Sequence, residues 1–257
     1  MKDGNMKKIL ITAPVHQSKK VFKEYLNSLN HLYIPTDYQI NNFFYLHNCP
    51  ELKEYLNLNE YEEVLDNSKY NEFSHDFKKD NYSALSYMRS AALEKARNEK
   101  YDYIFSVDSD VLLHPKSLQL LLEDNKDIVG MLYWTENGKH DNEYNSRIVS
   151  NTYDLEYWKA WNKKPLNTKG LYKVGIVMAN VLIGSRIIQN KNINYYPISK
   201  IDYFTWEDYA FSLKVYCNIP DAQVFIDTRL PSRHLFRERD YIRWIKEKEN
   251  VKQFNYR

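Results

Sequence analysis

At 257 residues with a formal charge of +2, the chain is long enough to bury the core of a large domain. It is too weakly charged overall to be drawn to nucleic acid or anionic lipid by bulk electrostatics. Its 43% hydrophobic and 27% charged residues exclude intrinsic disorder, and its two cysteines, Cys49 and Cys217, far apart and outside any CxxC, argue against both a disulfide framework and a structural zinc site.

Lys8 to Pro14 reads as a buried first strand, an apolar run closed by a proline. Residues Val21 to Leu32 carry Val21, Phe22, Tyr25, Leu26 and Leu29 at helical spacing. Asn41 to Cys49 is a second strand candidate and Tyr61 to Leu65 a weak third, with loop and short helix expected between Asn48 and Asn81. From Asn81 to Glu99, apolar residues again recur at helical spacing, with Asn81 or Ser83 placed to cap the start. A strand, Tyr103 to Val107, follows, and Pro115 suits the first turn of the next helix.

Ile128 to Trp134 reads as another strand, and a polar stretch rich in tryptophan, Thr135 to Leu171, then breaks the rhythm as an insertion or cover. The apolar segment Leu171 to Ile188, a helix over Phe204 to Tyr216 and a charged tail helix over Arg237 to Arg257 complete the chain. Helices alternating with short apolar strands imply an α/β fold, a mostly parallel twisted sheet flanked by helices, in a single domain. Ligands of such sheets bind beyond the carboxyl ends of the strands.

The polar N-terminus lacks the apolar core of a secretion signal, and the longest uncharged apolar stretch, Val174 to Ser185, is shorter than the roughly 20 residues a membrane helix needs. A cytoplasmic protein without a transmembrane segment is the expectation. The six glycines form no GxGxxG, and Gly170 and Gly175, though at P-loop spacing, are followed by Ile176 and Val177 where Lys and Ser/Thr are required. Phosphate binding, if present, needs another device, and a divalent cation on carboxylates is the obvious one.

Asp108 and Asp110, in VDSD at the end of the YIFSV strand, project to one face and should repel unless a cation offsets them. The competing reading, an Asp-rich turn capping the next helix, is weakened by Pro115, which sets that cap near His114. Glu207 and Asp208, in WEDYAF, open a helical stretch, where acids are favoured by the macrodipole whatever their function. Taken with the first pair, they supply a general base for an acceptor hydroxyl. His234 lies beside Arg233 and Arg237, whose charge disfavours the imidazolium and favours a neutral, ligating ring; an imidazole with two carboxylates leans toward manganese over magnesium.

This ordered set of a strand-one proline loop, a helical arginine, DSD and a downstream ED resembles the GT-A glycosyltransferases, particularly the family 2 type, over residues 8 to 236. The resemblance implies a GT-A domain over 1–236, with a nucleotide-sugar-binding half (1–130) and an acceptor or catalytic half (131–236) that contains the aromatic insertion 135–171, followed by a charged helix at 237–257. By the same likeness Thr12, Ala13, Pro14 and Arg89 contact the nucleotide. Asp108, Ser109 and Asp110 hold the donor diphosphate through Mn2+ or Mg2+, His234 completes the metal site, and Asp208 is the base, with Glu207 positioning a sugar or acceptor hydroxyl. The family often places an aspartate after the second strand to recognise the base. This chain has His47 and Asn48 there, with Asp66 as the available alternative.

The implied reaction is inverting transfer of a sugar from a nucleotide-diphospho-sugar, a UDP-sugar by default, to an acceptor hydroxyl. The acceptor is left open among glycan, protein, lipid, nucleic acid and small molecule. Arg233 or Arg237 would add positive charge near the phosphates. Trp134, Tyr153, Tyr157, Trp158 and Trp161 would stack on a sugar, or merely pack the insertion on the core. The alternatives are a retaining GT-A enzyme, a sugar nucleotidyltransferase, and a non-enzymatic binding module.

Overall fold

A computed structural model describes residues 6–65, 79–135, 149–150, 152–154, 159–160, 168–198, 207–235 and 238–254. In chain order the elements are β1 (Lys7–Val15), α1 (Lys19–Asn30), β2 (Tyr38–His47), a 3-10 turn (Pro50–Tyr55), β3 (Tyr61–Val64), α2 (Lys79–Asn98), β4 (Tyr103–Val107), β5 (Val111–Leu112), α3 (Ser117–Asp124) and β6 (Ile128–Thr135). Then follow β7 (Val149–Ser150), β8 (Thr152–Asp154), β9 (Lys159–Ala160), β10 (Leu171–Lys173), β11 (Ile176–Val177), β12 (Asn180–Gly184), α4 (Ser185–Ile188), α5 (Glu207–Asn218), β13 (Val224–His234) and α6 (Glu238–Phe254).

The main sheet runs β10-β13-β6-β12-β4-β1-β2-β3. β1 pairs in parallel with both β2 and β4, as do β2 with β3 and β6 with β13. β12 is antiparallel to both its neighbours, and β10 is antiparallel to β13. The expected α/β class, with a largely parallel sheet, is therefore what the chain adopts. One face of the sheet packs Val21, Phe22 and Tyr25 of α1 with Leu118 and Leu121 of α3; the other packs Leu93 of α2, Ile187 and Ile188 of α4 and Phe211 and Val215 of α5. Full burial of each such side chain contributes roughly 1.5–3 kcal/mol. Gly130 is needed where β6 meets β12, because a Cβ there would lie 2.7 Å from Asn180 O and from Val177 Cγ2.

Several boundaries differ from expectation for local reasons. α1 starts at Lys19 because the Ser18 hydroxyl accepts from Val21 N. α2 starts at Lys79, ahead of Asn81 and Ser83, so neither stands at the cap position. Pro115 precedes α3, which starts at Ser117; the turn before it is closed by Lys116 N donating to His114 Nδ1 at 3.1 Å. β13 runs unbroken from Val224 to His234, through a register shift between Asp227 and Ser232. Of the aromatic insertion, β8 pairs with β9 and β11, while Tyr157, Trp158 and Trp161 lie outside the described residues.

Candidate active site

The acidic loop Asp108–Asp110 leaves β4 at the carboxyl edge of the sheet, between β1 and β12. Backbone bonds fix it on both flanks. Asp108 N donates to Ala179 O at 2.6 Å, Val111 N donates to Asp108 O at 2.9 Å, and Leu235 N donates to Asp110 O at 2.7 Å. Ala179 delivers its carbonyl from a left-handed backbone, φ 68, a conformation that costs a non-glycine residue on the order of 1 kcal/mol. Neither aspartate caps α3.

β5 continues directly from this loop and pairs with the end of β13, setting His234 opposite Val111. That register brings His234 Nε2 within 3.2 Å of Asp110 Oδ2, with the Tyr133 ring edge-on at 4.7 Å. Burial pulls the His234 imidazolium down, but the charges of Asp110 and Asp108 outweigh it and leave the pKa raised. The sequence argument that cationic neighbours keep this ring neutral is thereby corrected. Arg233 turns to α6, where its Nη2 donates to Glu247 Oε2 at 2.6 Å, and Arg237 lies outside the described residues. The ring faces acids.

Arg89 joins the two acidic motifs. From α2 its Nη2 donates to Asp108 Oδ1 at 2.7 Å, its Nη1 to Ser106 Oγ at 3.3 Å, and its Nε lies 3.4 Å from Glu207 Oε1. The Tyr195 ring sits 6.0 Å from the guanidinium and stacks on Phe211 at 4.3 Å, so the arginine has an apolar floor. Arg89 is only 8% exposed. It stands behind the acids rather than in an open groove.

Glu207 and Asp208 open α5, and the helix places them differently. Glu207 is buried against Arg89. Asp208 keeps part of its surface open, and burial, with Glu207 and Asp108 adding repulsion against the pull of Arg89, pushes its carboxyl up to about 8. A carboxylate of that basicity suits proton abstraction near neutral pH. Asp108 is also raised, by burial first, against the opposing pull of Arg89.

Thr12, Ala13 and Pro14 lie within β1, which runs one residue past the proline, rather than in a loop. Thr12 and Ala13 are buried, and Thr12 and Pro14 border a void of about 10 Å³ shared with Arg89, Ser106 and Tyr195, room for about one water. The loop that follows is His16 to Ser18, and it lines an open cleft of about 520 Å³ with Lys19, Lys20, Asn48, Cys49 and Glu51. His16 Nδ1 lies 2.5 Å from His47 O, tying the end of β1 to the end of β2. Asp66 lies outside the described residues. Ser109 is buried within the acidic loop.

Among the described residues, no group of three or more His, Cys, Asp or Glu converges closely enough to hold a metal by itself. The donor set does fit a cation that takes part of its shell from elsewhere. Asp110 and His234 present one carboxylate and one imidazole to each other, with Asp108 at the other end of the loop. Mixed oxygen and nitrogen donors suit manganese.

A mixed sheet with an antiparallel strand beside the acidic loop, and two acidic motifs joined at its carboxyl edge, define a GT-A-like glycosyltransferase architecture. Residues 12–231 match the model of the glycosyltransferase family 25 N-terminal domain, and the chain belongs to that family. The resemblance seen in the sequence holds at the level of GT-A glycosyltransferases, with family 25 in the place of the family 2 type. Procollagen galactosyltransferase 1-A of Xenopus laevis is 30% identical over 163 residues, 60% of this chain; the chain spans about a quarter of that relative. Among solved structures, TarS 1-349 of S. aureus superposes with a TM-score of 0.50 at 15% identity, covering 88% of this chain and 59% of that one, which shows the fold. The A197 protein from STIV gives 0.47 at 12% identity, covering 89% and 85%. No described helix is long and apolar enough to cross a membrane.

Proposed function

We propose that this chain transfers a sugar from a nucleotide-diphospho-sugar to an acceptor hydroxyl, with inversion, using Asp208 as the general base. The observation that carries the reading is the junction at Arg89, which binds Asp108 of one acidic motif and Glu207 of the other in a member of glycosyltransferase family 25. Through it, the loop suited to the donor's diphosphate and the helix start suited to the acceptor become one site. Asp208, the more open of its pair and with its carboxyl pushed up to about 8, takes the acceptor proton. Glu207 is engaged by Arg89, and its part is to hold α5 against β4 rather than to orient a hydroxyl.

Asp108, Asp110 and His234 would hold Mn2+ or Mg2+, which when bound neutralises charge on the leaving diphosphate. The carry-over of Arg89 as a nucleotide contact gives way to a positioning role, since its guanidinium is spent on Asp108, Ser106 and Glu207. The cleft at His16 to Ser18 and Asn48 to Glu51, at the carboxyl ends of β1 and β2, is the place for the nucleoside. A UDP-sugar is the first donor to test. Galactose is the first sugar, because the Xenopus relative is named for its transfer.

The test is incubation with a panel of nucleotide sugars, manganese and candidate acceptors, read by release of nucleoside diphosphate and by the anomeric configuration of the product. Release from one donor with inverted product is expected. A retained configuration removes Asp208 as base, and no turnover of any donor, with no thermal shift on adding UDP and manganese, points to a binding module.

A further inference from the structure

Helix α6 lies beyond residues 12–231, the span of the family match, yet it is tied closely to the domain. Glu24 of α1, with its side chain 15% exposed, accepts from Trp244 Nε1 at 2.9 Å and from Lys248 Nζ at 2.8 Å on both oxygens. The Trp244 ring lies 5.2 Å from the Arg233 guanidinium, whose Nη2 donates to Glu247 Oε2, also on α6. Lys20 adds a second tie, donating to Glu238 at 3.0 Å and lying 5.3 Å from the Tyr241 ring. These contacts pass from α1 through α6 to the residue beside His234.

The end of β13 needs such support. Its pairing with β6 shifts register between Asp227 and Ser232, and beyond that point, among the described residues, it pairs with Tyr133 of β6 and the two residues of β5. Two-residue ladders are marginal on their own. Successive strand residues leave on opposite faces, so Arg233 can be gripped by α6 while His234 is aimed at Asp110.

We infer that α6 is a strap, centred on Glu24, that positions His234 for divalent-cation binding. The inference rests on the metal reading of Asp110 and His234 given above. Partners that orient a metal ligand commonly matter about 10-fold or more to affinity without touching the ion.

The test titrates manganese against the full chain at one fixed concentration of UDP, whose diphosphate supplies the rest of the ion's shell, following the free ion by electron paramagnetic resonance, alongside thermal midpoints. No binding by the native chain would remove the metal reading itself. Glu24→Gln removes the charge that organises Trp244 and Lys248. Trp244→Phe keeps a ring beneath Arg233 and deletes only the Nε1 donor, and it decides the matter if Glu24→Gln fails to fold. The strap predicts that manganese Kd rises about 10-fold in Glu24→Gln and by a smaller factor in Trp244→Phe. Lower thermal midpoints with manganese affinity unchanged, while His234→Ala weakens it, would mean that α6 serves stability alone and would overturn the inference. Unchanged affinity in His234→Ala would remove the metal reading itself, a result distinguishable from failure of the strap.

Discussion

Two clusters in this molecule set buried carboxylates around one arginine, and the contrast between them separates scaffold from site. Arg229 meets Asp227 with its Nε and Nη2 and Asp124 with its Nη2, so both carboxylates of that cluster lie on the guanidinium. Arg89 meets Asp108 and Glu207 directly and shares its charge with Asp208, while Asp110 lies 3.2 Å from His234. The first cluster staples the end of α3 to β13. The second gathers Asp108, Asp110, Glu207 and Asp208 around one arginine and one histidine, a concentration of negative charge that a cation and a proton-accepting role would use.

The sharpest way to break this contrast is at Asp208. Asp208→Asn is expected to leave donor affinity intact and to lower kcat by roughly 10²–10⁴-fold, the usual worth of a positioned base. Full turnover in that variant would return α5 to the scaffold. Asn at Asp124, by contrast, is expected to leave turnover untouched.

Next in size is removal of each arginine. Arg89→Met strips the cation from a buried acidic pair and should cost about 3–5 kcal/mol in urea unfolding. Arg229→Met should cost less, because the Arg229 side chain is about a third exposed, against 7% for that of Arg89. Equal losses would show that the site is no more strained electrostatically than the staple.

The pH dependence sharpens the comparison further. With Asp208 held up at about 8, kcat/KM should rise with pH through that value and level off above it, as the base form fills. A flat profile between about pH 6 and 9 contradicts the assignment. The raised value also means that this group's contribution to stability is complete below the unfolded carboxylate range near 4 and is lost as pH rises through about 8.

The smallest effect is expected at the staple. Burial, with Asp227 adding to it, pushes Asp124 up to about 6, so its contribution fades as pH rises from about 4 through that value. Asp124→Asn should flatten stability across that window, as followed by thermal midpoint. An unchanged slope would show that the two carboxyls do not share their environment as described.

These contrasts also show why part of the site was legible in the sequence and part was not. Asp108 and Asp110 were readable because a short buried strand ending in two acids is hard to explain by packing, and Glu207 and Asp208 because they open an apolar helix. The fold class followed from alternating strand and helix periods. Arg89 was picked out on α2, but as a contact to the nucleotide. Only the tertiary structure shows it facing Asp108 and Glu207, because side-chain direction on a helix is set by what packs across it.

His234 was found for a reason that failed, since its neighbours in sequence are cationic and its neighbours in space are acidic. Tyr133, Tyr195 and Ala179 carried no sequence signal, being two aromatics in a chain with 23 tyrosines and one alanine whose backbone conformation its type disfavours. Thr12, Ala13 and Pro14 were read as the end of the first strand, and β1 runs one residue further, because β1 and β2 stay paired to Val15.

The proposed cation-dependent donor site at Asp108, Asp110 and His234 can be read by calorimetry of UDP binding with and without manganese. Manganese is expected to tighten UDP binding to the native chain at least about 10-fold, and Asp110→Ala to abolish the effect. UDP affinity indifferent to manganese in the native chain, or equal manganese enhancement in Asp110→Ala, would contradict it.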